Sequence, residues 1–312
     1  MTNANNTPSA ILGLRAQSSI HAGAGQRTGI IDLPIQREGH NGWPCIFGSS
    51  VKGALRTHAV QQNSNDISVV FGPESGGGGS DHAGAIMVSD ARLMLYPVRS
   101  LTSQFKWVTC PEAIRRYLSD SSRLHFDHAS TGLKALINNL VLSDEEAFVH
   151  SASTIKDLFL EEYRFTTSNK SDLNPLIEMI LPLMSSSDSD TTDTRGSLER
   201  QLVIVSDDMF AYLVGHTTPV NPHISIDSES KTVRPGALWY EETLPPETLL
   251  YVGVGANHSR KKNGADRLDS DQASAILTTF LDLFADHPWL QIGGNETLGM
   301  GWCAMNVVER ED

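Results

Sequence analysis

Asp32 is the strongest candidate in this sequence for acid–base or metal chemistry. It follows the apolar pair Ile30 and Ile31 and precedes a Leu-Pro step, where it is neither a helix cap nor half of a charge pair spaced four residues apart. A carboxylate in such a position could hold a divalent metal ion or orient a hydroxyl group. The alternative is a structural aspartate paired with Arg27 or Arg37.

Further titratable groups occur at His21 and in the segment LWYEETLP, which contains Glu241 and Glu242. Histidine can act as an acid or a base near neutral pH, although a histidine in this position more often only ends a strand. The alternation of LWYEETLP favours Glu241 over Glu242. The sequence has no H-E-x-x-H, no G-x-S-x-G and no carboxylate quartet, so a conventional multi-carboxylate nuclease or hydrolase site is not supported.

The segment GSSVKGALR indicates a helix whose start could bind an anion. It is not a phosphate-binding loop of the NTPase type, because Lys52 is followed by Gly53 and not by serine or threonine. A lysine in the first helical turn costs roughly 0.3 kcal/mol or more unless an anion binds there. Free N–H groups, Ser49, Ser50 and Lys52 would together bind a phosphate. A solvated lysine on an ordinary surface helix is an equally good interpretation from these residues alone.

Two glycine-rich segments lie near the two ends of the chain. HAGAGQRTG begins like a dinucleotide-binding loop, but no helical pattern follows, and Pro34 favours extended geometry at Leu33. Its glycines therefore indicate either a close approach of the backbone to a ligand or neighbouring subunit, or a plain connecting turn. IGGNETLGMGW places four more glycines, Gly293, Gly294, Gly299 and Gly301, between two predicted strands.

The apolar pattern predicts a mixture of strands and helices. Residues 10–21 are predicted to form a strand that runs into the glycine turn, followed by a helix from Ser49 or Ser50 to about Gln62. A helix that begins at Pro111 and another between Asp271 and His287 are also predicted. The elements lack regular βαβ spacing, so the predicted fold class is α+β.

The composition is that of a folded protein with an excess of acidic residues. A net charge of −13 argues against nucleic-acid binding, which rests on lysine and arginine. Part of the acidity lies within residues 185–208, however, and basic residues gather near Arg260, Lys261, Lys262 and Arg267. A dipolar surface could therefore bind a polyanion on one face.

The sequence also indicates the cellular compartment of the protein. Its three cysteines lie far apart without a CxxC pair, which predicts buried thiols and argues against a zinc site or disulfides. No stretch approaches the ~20 apolar residues of a membrane span, and the first residues lack the basic region of a signal peptide. We expect a cytoplasmic protein with no membrane partner.

In their order along the chain, these segments resemble the RAMP superfamily, specifically the backbone subunit of the type III-B (Cmr) CRISPR effector complex. HAGAG, GIIDLPIQRE and PCIFGSSVKGALR carry the most specific part of the resemblance. SDAR, PVRS and WVTCP match the same pattern, and the closing glycine loop is typical of RAMP proteins. The resemblance is weakest between Ser119 and Ser197.

For the fold, the resemblance implies a single RAMP domain over residues 1–312, with a ferredoxin-like (RNA-recognition-like) palm. Partly flexible insertions are expected near residues 73–84 and 183–198, and a projecting β-hairpin thumb is placed at residues 214–239. For the function, it implies a metal-dependent endoribonuclease that stacks in several copies along a CRISPR guide RNA, with other Cmr subunits, and cleaves a paired target RNA. The divalent ion would be Mg²⁺ or Mn²⁺, and guide pairing would read the target sequence.

For the site, the resemblance assigns target cutting and metal binding to Asp32, with His21 and Glu241 as assisting candidates. Thr243 departs from the family pattern, which has an aromatic residue there. Guide-RNA contacts are expected at nine residues: Gly23, Gly25, Ser49, Ser50, Lys52, Arg56, Gly294, Gly299 and Gly301. Two alternatives stay open, a non-catalytic guide-RNA scaffold and a stand-alone guide-processing ribonuclease of the same superfamily.

Overall fold

The computed structural model describes residues 7–26, 28–62, 64, 66–73, 82–126, 131–169, 172–185, 188–260 and 272–308. The strands are β1 Ser9–Ala16, β2 Cys45–Ile46, β3 Ile86–Val88, β4 Ala91–Arg99, β5 Phe105–Thr109, β6 Glu146–Val149, β7 Asp157–Leu160, β8 Tyr163–Ser168, β9 Leu202–Ile204, β10 Val220–Ile226, β11 Val233–Glu242, β12 Leu249–Ala256, β13 Trp289–Gln291 and β14 Trp302–Val308. The helices are α1 Gly48–Gln61, α2 Ile67–Val70, α3 Pro111–Arg123, α4 Thr131–Asn139, α5 Asn174–Met184, α6 Asp188–Gln201, α7 Asp207–His216 and α8 Ala273–Asp282.

Twelve of these strands form one mixed sheet. The hydrogen-bonded order is β13-β14-β1-β12-β4-β5-β9-β6-β8-β7, with β2 beside β4 and β3 beside β12. The pairs β5–β9 and β6–β8 are parallel, and the other pairs of this sheet are antiparallel. The predicted α+β class is therefore confirmed, and the first strand of the chain lies between the last strand, β14, and β12.

Apolar side chains cover both faces of the sheet, because neighbouring residues of a strand point to opposite sides. In β1, Leu12 packs into one core with Val51 and Leu55 of α1, whereas Ile11 packs into a second core with Ile180 of α5. Helices α1, α7 and α8 contribute to the first core, and α3, α4, α5 and α6 to the second. Strand β1 therefore lies between the two cores. The residues that follow it, which include His21, are attached to a well-packed strand.

The strands β10 and β11 form a separate two-stranded antiparallel sheet in which Val220 pairs with Glu242 and His223 with Trp239. Most of its residues are exposed, except at the end of β11, where Glu241 and Glu242 are buried. This hairpin differs in position from the predicted range 214–239, because the chain to His216 is still helix α7 and β11 continues to Glu242. An isolated two-stranded hairpin is only marginally stable, so the buried residues at the base of this hairpin stabilise it.

The described residues of the second expected insertion, 183–198, are largely helical. Residues 183–198, expected as a flexible insertion, contain the end of α5 and most of α6. Leu198 and Thr194 of α6 are buried, and Arg195 bonds Glu178 of α5. Most of the other expected insertion, and most of the basic segment near residue 265, lie outside the described residues.

The predicted helices are found with shifted boundaries. The helix that begins at Pro111 is confirmed as α3. The helix predicted between Asp271 and His287 is α8, Ala273–Asp282. Strand β1 ends at Ala16 and not at residue 21. In the described part of the chain, no helix has the length and apolar character needed to cross a membrane.

Candidate active site

The Asp32 segment lies against the end of the hairpin strand β11. Leu33 pairs in parallel with Glu241, since its amide donates to the Tyr240 carbonyl (3.0 Å) and its carbonyl accepts from the Glu242 amide (3.0 Å). The Oδ2 atom of Asp32 accepts a hydrogen bond of 2.8 Å from the amide of Tyr240. Two distant parts of the sequence therefore meet at one carboxylate.

Asp32 is not paired with Arg37, which was one of the two structural alternatives. The Arg37 guanidinium instead donates to Glu242 Oε1 at 2.5 Å and to the hydroxyl of Thr218 at 3.0 Å. The other Glu242 oxygen, Oε2, accepts from the amide of Ile35. Glu242 is only 4% exposed, so its carboxylate acts as a structural anchor. The second alternative partner, Arg27, lies outside the described residues.

Glu241 faces the opposite way, toward His21. Its Oε1 lies 4.0 Å from His21 Nδ1 and 2.5 Å from the side-chain amide nitrogen of Asn295. Glu241 is as deeply buried as Glu242. The structure thus brings together two of the three predicted catalytic residues, His21 and Glu241, and the Leu33 bridge brings the Asp32 segment to the same strand end.

The protonation pattern of the His21 ring follows from its partner. Nδ1 lies 2.8 Å from the carbonyl oxygen of Glu242, and a carbonyl can only accept a hydrogen bond. Nδ1 therefore carries a hydrogen, and in the neutral ring Nε2 is the proton acceptor. A Cβ atom at Gly23 would lie 2.9 Å from Nε2, so glycine at this position leaves room for the ring. Nε2 is thus the ring atom of His21 that is able to accept a proton.

The C-terminal glycine loop contacts this site from the other side. The amide of Gly294 donates to the His21 carbonyl at 2.8 Å, and that of Gly301 donates to the Ser19 carbonyl at 2.8 Å. Gly293 has φ 91°, and a Cβ there would lie 2.5 Å from the His21 carbonyl oxygen. The C-terminal glycine loop therefore holds the backbone at His21 in place. Asn295, which carries the bond to Glu241, was missed by the sequence analysis.

The remaining predicted glycine contacts occupy open positions. A Cβ at Gly25 (φ 88°) or Gly299 (φ 77°) would meet no atom of the described residues within 4 Å. These two positions need glycine for their backbone conformation and leave space in front of the loops.

The start of α1 differs from the prediction. Phe47 is the N-cap residue, without a side-chain capping bond, so neither Ser49 nor Ser50 caps the helix. Asp90 Oδ1 accepts from the amide of Gly48 at 2.7 Å, so a carboxylate of the protein lies at the helix start. Ser49 is exposed, whereas Ser50 accepts a bond from Gln36.

The two basic residues of α1 donate to backbone carbonyls. Lys52 Nζ lies 2.9 Å from the carbonyl oxygen of Ile86, and Arg56 bonds the carbonyls of Gly72 and Pro73. Burial and the nearby charge of Arg56 lower the pKa of Lys52. Both side chains keep partial exposure, so their positive charge still reaches the surface.

A cavity of about 400 Å³ lies beside Asp32, lined by Gln26, Asp32, Leu33 and Trp239. Trp239 stacks on His223 with ring centroids 5.4 Å apart and an interplanar angle of 13°. The cavity is therefore lined by both a carboxylate and an aromatic ring. Thr243, two residues beyond Glu241, is fully buried and closed to a ligand.

A divalent metal ion would find few protein ligands at this site. Among the described residues, no group of three or more His, Cys, Asp or Glu side chains is placed to hold a metal. Mg²⁺ often binds through only one or two carboxylates together with water and phosphate. Asp32 uses Oδ2 for the Tyr240 amide, and no described residue bonds its Oδ1. Asp32 therefore fits an ion that takes its other ligands from water and a bound phosphate.

Comparison with known proteins identifies the family. Residues 14–304 match the model of the RAMP superfamily. The chain is 30% identical over 302 residues to the CRISPR system Cmr endoribonuclease Cmr4 of Pyrococcus furiosus, covering 96% of this chain and 95% of that protein. It is 26% identical over 304 residues to the CRISPR system CMR subunit Cmr4 of Saccharolobus solfataricus, covering 92% of each.

Solved structures agree with this assignment. The crystal structure of oligomeric Cmr4 from Pyrococcus furiosus matches with a TM-score of 0.71 and 25% identity, covering 98% of this chain and 100% of that one. A subunit of the type III-B Cmr-beta complex bound to cognate target RNA matches with a TM-score of 0.71 and 21% identity, over 97% and 98% of the two chains, which shows the fold. The resemblance found in the sequence is therefore confirmed, and this chain belongs to the RAMP superfamily.

Proposed function

We propose that this chain is the repeated backbone subunit of a CRISPR ribonucleoprotein that binds guide RNA and cleaves complementary target RNA at regular intervals. Three findings support this proposal: the family match, the 30% identity to a Cmr endoribonuclease, and the likeness to oligomeric Cmr4. Copies of the chain stack along the guide in the cytoplasm and assemble with the other Cmr subunits.

The observation that carries the proposal is the position of Asp32 at an open cavity beside the strand that holds Glu241. The hydroxyl at the 2′ position of the target attacks the adjacent phosphorus, so that an O2′–P bond forms and the P–O5′ bond breaks. The products are a 2′,3′-cyclic phosphate and a 5′-hydroxyl. A base takes the proton of the 2′-hydroxyl, and the departing O5′ takes a proton from water.

Each predicted catalytic residue has a role in this step. Asp32 orients the attacking hydroxyl, and Nε2 of His21 receives its proton, because Nδ1 already donates to the Glu242 carbonyl. Glu241, 4.0 Å from His21 Nδ1, stabilises the positive charge that the ring then carries. A divalent ion at Asp32, Mg²⁺ or Mn²⁺, would supply charge stabilisation at the phosphate when bound.

The RNA-binding surface combines the open glycine loops with the charge of α1. Gly25 and Gly299 leave space for a sugar-phosphate chain, and Gly23 and Gly294 adjoin His21. The other expected contacts act through hydroxyls and charge at Ser49, Ser50, Lys52 and Arg56. The amide of Gly301 is bonded to the Ser19 carbonyl, so the expected role of Gly301 becomes that of holding the loop in place. The large sheet serves as the ferredoxin-like palm, and the β10–β11 hairpin is the thumb, with Trp239 and His223 as a surface on which a base can stack.

The test is reconstitution with guide RNAs of increasing length. We expect the number of protein copies and the number of evenly spaced target cuts to rise together, with 5′-hydroxyl product ends. A complex that binds target without cutting it would leave only the scaffold function. Cutting of precursor repeats by the isolated chain would establish the stand-alone guide-processing enzyme instead.

A further inference from the structure

Asn295 has an unusual position in the C-terminal glycine loop. It lies between β13 and β14 with φ 61° and ψ 30°, the left-handed conformation that asparagine tolerates better than most residues. Its side-chain amide nitrogen donates to Glu241 Oε1 at 2.5 Å. The loop that contains Asn295 is hydrogen-bonded to the segment that follows β1, since the amide of Gly294 donates to the His21 carbonyl and that of Gly301 to the Ser19 carbonyl.

Glu241 depends on this amide more than its neighbour does. Both glutamates are 4% exposed, and a buried carboxylate needs hydrogen-bond donors. Glu242 has the guanidinium of Arg37 and the amide of Ile35. Among the described residues, the side-chain hydrogen-bond donor to Glu241 is Asn295, and the His21 ring lies 4.0 Å from its carboxylate.

From this geometry we infer that Asn295 is a positioning residue for target cutting, which holds the Glu241 carboxylate against the His21 ring. The inference rests on the proposed function and adds a residue to it. Asn295 does not touch the reacting atoms in this arrangement. It sets the direction of Oε1, and thereby the place where the positive charge on His21 is stabilised.

The left-handed backbone at position 295 allows a clean set of variants. Asn295→Gly removes the amide but tolerates the same φ. Asn295→Asp keeps the size of the side chain and replaces the donor by a carboxylate. A matched control is Asn169→Gly, because the amide of Asn169 lies 3.4 Å from the Ser151 and Ser153 carbonyls, away from the catalytic residues.

The readout is single-turnover target cutting by complexes with equal guide loading. We expect Asn295→Gly to lower the cutting rate ~10- to 100-fold, the scale of a small misplacement of a catalytic group, without a change in target affinity. Asn169→Gly should cut at the wild-type rate. Asn295→Asp should be slow at neutral pH, and its rate relative to wild type at the same pH should rise as the pH falls, since a protonated carboxyl can again donate to Glu241.

A double-mutant cycle separates positioning from general damage to the loop. If Asn295 acts through Glu241, Asn295→Gly should cause no further loss in a Glu241→Gln complex. Independent, multiplying losses, or wild-type cutting by Asn295→Gly, would overturn the inference while the proposed function stands. Absence of cutting by the wild-type complex would overturn both.

Discussion

The guanidinium of Arg37 and the carboxylate of Glu242 form an ion pair with Nη2 and Oε1 2.5 Å apart. Arg37 follows Asp32 by five residues, and Glu242 ends β11, so this pair joins the Asp32 segment to the base of the hairpin. The adjacent Glu241 then faces His21. Glu242 therefore anchors the hairpin to the Asp32 segment, whereas Glu241 lies beside the His21 ring.

Loss of Arg37 should therefore destabilise the fold. Arg37→Met leaves the buried Glu242 without its cation, which typically costs about 3–5 kcal/mol. Denaturant unfolding of the isolated chain measures the change. Arg99→Met is the matched control, because Arg99 is 80% exposed in its pair with Glu161 and should contribute less than about 1 kcal/mol. Equal effects of the two variants would show that the Arg37 pair is not a structural anchor.

Gly23→Ala should impair cutting by displacing the His21 ring. The new Cβ would lie 2.9 Å from Nε2, closer than side-chain atoms normally approach. We expect a loss of ~100-fold in cutting rate, the scale of a lost acid–base group, when complexes with equal guide loading are compared. Gly39→Ala, where a Cβ meets no described atom within 4 Å, is the control and should cut normally. A Gly23→Ala complex that cuts as fast as this control would contradict the role of His21.

The sequence allowed prediction of the elements whose pattern is local. Strand β1 alternates, α3 begins at Pro111, and α8 has an apolar stripe, so each was found to within a few residues. Helix α6 was missed because DSDTTDTRGSLERQ has almost no apolar period, and its burial rests on Leu198 and on the neighbouring α5. Tertiary packing decides such a helix.

Prediction of the site is limited in the same way, by contacts between distant parts of the sequence. Asp32, His21 and Glu241 were chosen from motifs, and the structure brings His21 and Glu241 together. The partner of Lys52, the carbonyl of Ile86, and that of Glu241, the amide of Asn295, lie 34 and 54 residues away. No local spacing reveals such contacts. An asparagine between glycines indicates only a turn when the strand it faces is unknown.

The thiols should be unreactive in the folded protein. Burial raises the pKa of Cys45 and of Cys303 to about 12, and it raises the pKa of Cys110 further. At pH 8 the thiolate population is therefore very small, and the thiolate is the reactive form. We expect a disulfide reagent to titrate no thiol in the native chain and all three in denaturant. Rapid native labelling would show that at least one site opens.

Lys52 should contribute to guide binding through charge alone. Lys52→Gln should weaken every guide sequence equally and reduce the slope of log affinity against log salt by about 1. Because the pKa of Lys52 is lowered, its charge is lost at lower pH than that of an ordinary lysine, so raising the pH should weaken guide binding more in wild type than in Lys52→Gln. Filter binding measures both effects, with the exposed Lys156→Gln as control. Unchanged affinity and slope in Lys52→Gln would remove it from the RNA-binding surface.

Target cutting by complexes that carry Asp32→Ala or Asp32→Asn tests directly whether this carboxylate takes part in the reaction. Asparagine keeps an oxygen that can accept from the Tyr240 amide, so this variant removes the charge without losing the bond to β11. Guide loading and target binding should persist in both, because base pairing and backbone contacts supply them. We predict that both variants cut at least ~100-fold more slowly than wild type, at every regularly spaced site together. Cutting at the wild-type rate by the Asp32→Asn complex would show that the Asp32 carboxylate takes no part in the reaction.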